Sequence, residues 1–159
     1  MCNRTLSSDV TRTDILKMLL YAPGASRIPG RPVRGKTRLQ KEVFLAQKAV
    51  KDRRIKRKYS FMPYHYGPFS RQLYFDVNWL QRKGLVEERT HLADRTGVYR
   101  EFKLTPNGIR EVESLIQKPE FKEVYDIVRE VRRKYDEMPL EDLVEFTHRE
   151  FPAYVGKER

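Results

Sequence analysis

PYHYGPFSRQLYFDVNWLQRKGLV, residues 63–86, decides how the chain folds. It reads as a turn, a helix and a stop. Gly67-Pro68 interrupts whatever precedes it, and Ser70 suits an N-cap whose hydroxyl accepts from an amide one turn on. Phe69 and Tyr74 occupy the N′ and N4 positions of a hydrophobic staple. Leu73, Val77 and Leu80 recur at i, i+4, i+7 and form one apolar stripe. Gly84 stands where a left-handed C′ residue ends a helix, and Leu85-Val86 begin an extended segment. A short helix stopped by glycine and followed at once by strand is the passage from the third helix of a winged helix into its wing.

With Leu73 inward, the opposite face of this helix carries Arg71, Phe75, Asn78 and Arg82, with Gln72 and Trp79 beside it. Arg, Asn and Gln read base edges. Phe75 and Trp79 do not suit a wet groove. The expectation is that the C-terminal helices cover them; the alternative is that they anchor a partner protein.

Working outward, a first helix is expected from about Ser8 to Ala22, ended by Pro23-Gly24. A glycine- and proline-rich loop, 24–36, follows. A second helix opens at Thr37 with the capping box Thr37-Arg38-Leu39-Gln40 and turns Leu39, Val43, Phe44, Ala46 and Val50 inward. Residues 59–62 read as extended. Beyond Gly84 comes a hairpin with its tip near 93–97, and Val98, Phe102 and Leu104 fall on one face at period two. Thr105-Pro106 opens a fourth helix reaching Pro119. Two amphipathic helices follow, 120–135 and 139–150. The expected fold is mainly α with a small β-hairpin wing: a winged helix-turn-helix over 1–118. A helical extension, 119–159, packs on it or on a second subunit, which leaves a homodimer open.

Composition points to the partner. The 159 residues carry 33 Lys+Arg against 22 Asp+Glu, a net charge of +11. Between Arg27 and Lys58 lie thirteen Lys/Arg and only Glu42 and Asp52 as acids, so this one segment holds the whole net charge. Such a run points to a polyanion. Cys2 is the only cysteine, which removes disulfide and thiolate metal chemistry. No apolar run is long enough to cross a membrane and no signal-peptide core is seen, so a cytoplasmic protein is expected.

The residues RLQKEVFLAQ (38–47), the quoted stretch, KLTPNG (103–108) and LEDLVEFTHREFPAY (140–154) together resemble the Panacea (SocA-type) antitoxin domain and its archaeal and bacillar winged-helix relatives. The most specific piece is the aromatic-x-Tyr-Gly-Pro signature, Tyr64-His65-Tyr66-Gly67-Pro68. The resemblance implies a helical, winged-helix-like domain without known enzymatic activity. In the antitoxin branch it implies neutralising a toxin by direct binding.

One motif competes with this reading. Gly30-Arg-Pro-Val-Arg-Gly35-Lys36-Thr37 matches the Walker A pattern letter for letter. A P-loop needs a buried strand delivering the chain to the glycines and an acidic strand end downstream; neither is visible. His65, His91 and His148 share no metal-ligand spacing. No catalytic residue, metal site or cofactor is expected.

The sequence therefore predicts a non-enzymatic nucleic-acid-binding protein acting on duplex DNA in a regulatory setting. Arg31, Arg34, Lys36, Arg38, Arg53, Arg54, Lys56, Arg57 and Lys58 would neutralise phosphates. Arg71, Gln72, Asn78 and Arg82 would face base edges, with Arg95 at the wing tip. The alternatives are an antitoxin-like protein-binding module anchored by Phe75 and Trp79, and a factor that binds structured RNA or the ribosome.

Overall fold

The computed structural model describes residues 10–24, 26–51, 55–93 and 97–156. In chain order these form β1 (Val10–Thr11), α1 (Arg12–Tyr21), β2 (Val33–Arg34), α2 (Lys36–Val50), β3 (Ile55–Lys56), β4 (Met62–Tyr64), β5 (Gly67–Phe69), α3 (Arg71–Arg82), β6 (Val86–Ala93), β7 (Gly97–Leu104), α4 (Pro106–Leu115), α5 (Pro119–Tyr135) and α6 (Leu140–Glu150), with a closing 3-10 turn at Pro152–Tyr154. The result is a helical core with small β-sheets.

α2 lies at the centre of the helical core, with α1, α5, α6, β2 and β5 against it. Leu39, Val43, Phe44, Ala46 and Val50 are buried as their spacing predicts, but so are Gln40, Lys41, Glu42 and Gln47. A helix buried on nearly all sides needs neighbours on all sides. α1, α5, α6 and β5 supply them. Its two buried amides find partners inside the protein, Gln40 on the Ser70 backbone and Gln47 on the Tyr59 backbone.

The hairpin is antiparallel, β6 on β7, with Val86 opposite Leu104 and Ala93 opposite Gly97. β2 adds to the other edge of β7, pairing Val33 with Phe102, so the sheet order is β2-β7-β6. Phe102 and Leu104 are buried, whereas Val98, on the same face but nearer the tip, is 59% exposed. The strand simply outruns the core it covers.

α5 lies on α1 and α2, and its Phe121, Val124 and Val128 join the same hydrophobic cluster as Leu16, Val43 and Leu73. Residues 119–156 are thus part of the one core. No helix among the described residues is long and apolar enough to cross a membrane.

Local details differ from the sequence reading. α1 begins at Arg12, with Thr11 and Asp14 forming its capping box, and Val10–Thr11 is a strand parallel to β3. The proposed start at Ser8 lies outside the described residues. α2 is preceded by Gly35 at φ +91°, so Thr37 is inside the helix and makes no cap. α4 ends at Leu115, and Pro119 opens α5. Met62–Tyr64 and Gly67–Phe69 pair as a tight hairpin, where the sequence suggests only an interruption. Gly67 has φ +105°, and a Cβ there would meet Lys41 Cε at 3.2 Å and Thr147 Oγ1 at 3.3 Å. Both the backbone sign and the missing side chain are required.

Candidate nucleic-acid interface

α3 is placed by tertiary contacts at its start and by a glycine at its end. The Ser70 hydroxyl does not cap it; that oxygen is buried without a hydrogen-bond partner. Instead Gln40 of α2 clamps the Ser70 backbone, accepting from its N–H at 2.8 Å and donating to its carbonyl at 2.9 Å. Gln40 therefore serves α3 and not the start of its own helix. The staple forms, with the Phe69 and Tyr74 ring centroids 5.6 Å apart. At the other end Gly84, φ +76°, donates to the Gln81 carbonyl and Leu85 to the Leu80 carbonyl, a Schellman closure.

With Leu73, Val77 and Leu80 buried, the outward face is fixed. Arg71, Asn78 and Arg82 are exposed on it. Phe75 is 72% exposed and Trp79 46%. The expected cover by the C-terminal helices does not occur, because α5 and α6 pack on α1 and α2 instead. Gln72 is half-buried and accepts from the Ser60 N–H at 2.7 Å, which removes its carbonyl oxygen from base reading.

Asp76 is the one acid of α3, and it is neutralised from within. Arg12 Nε lies 2.9 Å from its Oδ2, and the Tyr59 hydroxyl donates to the same oxygen at 2.8 Å. Burial, with the Asp76 charge behind it, raises the Tyr59 phenol well above its usual range, so it stays a donor. The Arg12 guanidinium lies over the Tyr59 ring at 5.2 Å. On the far side Lys83 Nζ sits 4.9 Å from the Trp79 ring centroid. Arg57, Arg82, Phe75, Trp79 and Arg12 line one open cleft of about 430 Å³. Arg12 and Lys83 are absent from the sequence-predicted set. Lys83 was accessible through its i, i+4 spacing from Trp79; nothing local links Arg12 to Asp76.

The basic segment does not form one patch. Arg38 is withdrawn from the surface: it donates to the carbonyls of Tyr135, Asp136 and Met138 at 3.1, 3.0 and 2.7 Å. It caps the C-terminus of α5, so its assignment to phosphate is corrected. Arg31 pairs with Glu137 at 3.1 Å. Arg31, Arg34 and Arg38 line a second cleft together with Asp136 and Glu137, whose carboxylates oppose an anion. Arg34 keeps 69% of its side chain exposed, over the Tyr99 ring, and Lys36 is exposed over Tyr74. Arg57 and Lys58 are exposed. Arg53, Arg54 and Arg95, like Cys2, lie outside the described residues, as does the side chain of Lys56.

The Walker-like residues adopt another structure. Val33–Arg34, in the middle of the pattern, is the strand β2, and the Gly35 N–H donates to the Arg100 carbonyl at 2.6 Å. The pattern spans a sheet edge and a helix start. Among the described residues no group of three or more His, Cys, Asp or Glu is placed to hold a metal. A scan of protein-family models and searches of curated proteins and of solved structures find no match to this chain.

Proposed function

We propose that the chain is a winged-helix protein that binds nucleic acid through the outward face of α3 and performs no chemistry of its own. Supporting the fold assignment is the order α1, β2, α2, α3, β6, β7, with β2 closing one edge of the hairpin. In a winged helix-turn-helix this order puts the second helix of the turn against the groove and the hairpin beside it.

One observation carries the functional reading. Arg71, Arg82 and Arg57 have no carboxylate partner among the described residues, while Asp76 beside them is consumed by Arg12 and Tyr59. An unneutralised cationic face beside an exposed Asn suits phosphates at its margin and base edges at its centre. Duplex DNA comes ahead of RNA because an exposed helix fits a major groove of B-form width and not the narrow one of A-form RNA.

The test is binding of a random-sequence duplex across a salt series. The logarithm of affinity should fall linearly with the logarithm of salt, because each neutralised phosphate releases counterions. Replacing Arg71 and Arg82 by Ala should flatten that slope. Asn78→Ala should instead reduce discrimination between sites by roughly 1–3 kcal/mol. Negligible duplex affinity at low salt, with one stoichiometric protein captured through Phe75 and Trp79, would replace this reading by the protein-binding module. That second reading is favoured by a single feature, the exposure of those two aromatics.

A further inference from the structure

The α3 face has a property that groove reading leaves unexplained. Two aromatic side chains, Phe75 and Trp79, stand one helical turn apart at its centre, 72% and 46% exposed. An intact duplex offers a groove of polar edges and water, in which bare rings lose nothing by staying away. Unpaired bases offer the opposite surface: flat, weakly hydrated π-faces carried on a phosphate chain.

The cleft around the rings matches that description. Arg57 and Arg82 line it with Phe75 and Trp79, as do Arg12 and Thr11. The single acid in the wall among the described residues, Asp76, is buried and bonded to Arg12 and Tyr59, so it does not act as a free carboxylate against a phosphate. Lys83 stacks its ammonium on the indole of Trp79 at 4.9 Å, placing a cation against the ring that a base would share. The cleft, about 430 Å³, has room for a planar base and its sugar. A protein partner fits less well. Among the described residues, the cleft apart from the two rings is lined by Thr, Arg and Asp, with no aliphatic side chain to continue an apolar interface centre, while its unpaired Arg57 and Arg82 suit phosphates.

We propose that this cleft binds unpaired bases, stacking them on Phe75 and Trp79 while Arg57, Arg71, Arg82 and Lys83 hold the flanking phosphates. The natural target is then a duplex that carries a single-stranded stretch, with the duplex part under the remaining basic side chains. The inference rests on the nucleic-acid reading of α3 and narrows it to one structural class of target.

Trp79 is the only tryptophan of the chain, so its fluorescence reports on this cleft alone. The experiment titrates the full chain with a blunt hairpin duplex and with the same hairpin bearing a five-thymidine overhang. The overhang should raise affinity on the order of tenfold and quench Trp79 emission, since each stacked base contributes at this scale. Phe75→Ala, at a solvent-facing position that leaves the core intact, should bring the ratio of overhang to blunt-duplex affinity down to about one. Equal affinity for both probes with unchanged emission would overturn the stacking proposal and leave duplex binding standing. Absence of binding to either probe at low salt would overturn both. A Phe75→Ala chain that still prefers the overhang tenfold would also overturn the proposal.

Discussion

Between α1, α2 and α5 the Arg132 guanidinium is fully buried. It donates to the carbonyls of Leu19 and Ala22 at 2.9 and 2.8 Å and to those of Arg31 and Pro32 at 2.6 and 3.1 Å. On α3, by contrast, Arg71 and Arg82 project into solvent with no carboxylate partner among the described residues. The same side chain thus closes the end of one helix and the following loop, and elsewhere forms an open cationic face. Formal charge does not distinguish the two. What does is the count of orphan carbonyls nearby: a helix end and an irregular loop buried under α5 leave acceptors that only a multi-donor group can satisfy.

Removing Arg132 gives the largest expected effect of that contrast. Arg132→Met leaves the carbonyls of Leu19, Ala22, Arg31 and Pro32 without donors and strands Glu42 and Asp136, which lie 3.9 and 3.3 Å from its Nε. Breaking one member of a buried charged set costs roughly 3–5 kcal/mol. Arg71→Ala should change stability by less than about 0.5 kcal/mol, as surface substitutions do. Urea denaturation of both variants checks the pair; equal midpoints would break the distinction between structural and available arginines.

A second expectation concerns charges buried without such a partner. Lys41, 2% exposed under the Gly67 turn, is pushed by burial from 10.5 down to about 8. Because its folded value is depressed, the unfolded chain binds more protons between about pH 8 and 10.5. Stability should therefore rise with pH through that window, and be lost again as pH falls to 8. Tyr21, raised by burial and the Glu113 charge to about 12, works in the opposite direction above pH 10, so the clean window is pH 8–10. Lys41→Met should abolish the rise and stabilise the protein at pH 7 by about 2–3 kcal/mol. Parallel pH profiles in parent and variant would contradict this account.

These two residues also mark where the sequence was legible and where it was not. The Gly84 stop, the Phe69–Tyr74 staple and the Thr105 cap rest on contacts within a few residues, and the α3 stripe and the hairpin keep a regular period, so cap chemistry and periodicity report them directly. Arg38, Gln40, Arg132 and Asp76 meet hydrogen-bond partners 17 to 113 residues distant, with no local trace. Gln40 is instructive, since its place three residues after Thr37 fits a capping box while its amide clamps Ser70 across the core. The two-residue strands β1, β2 and β3 are likewise too short for a period, and exist because another segment supplies the ladder. For the candidate interface, the aromatics and cations of α3 were legible, and their exposure was not. Exposure depends on where α5 packs, and α5 chose the α1–α2 side.

The smallest expected effect tests whether a cation near the interface acts through its charge alone. Lys36 opens α2 with its ammonium exposed over the Tyr74 ring at 5.3 Å, next to Arg34 at the root of the hairpin. In a P-loop the equivalent lysine reaches phosphates that a ring of backbone amides already holds. Here the Gly35 amide is taken by the Arg100 carbonyl and the Gly30 amide by the Tyr21 carbonyl, at 2.6 and 2.7 Å. The cradle is used for folding, so Lys36 has only its charge to offer. Lys36→Ala should leave nucleotide affinity as negligible as in the parent. It should reduce the magnitude of the slope of log affinity against log salt by about one, the signature of a single lost phosphate contact. The measurement pairs a calorimetric ATP titration with duplex binding at several salt concentrations. Saturable ATP binding in the parent, abolished in the variant, would show that this sheet edge rearranges to hold a nucleotide, and the division between folding amides and free cations would fail at the place where the sequence motif first raised it.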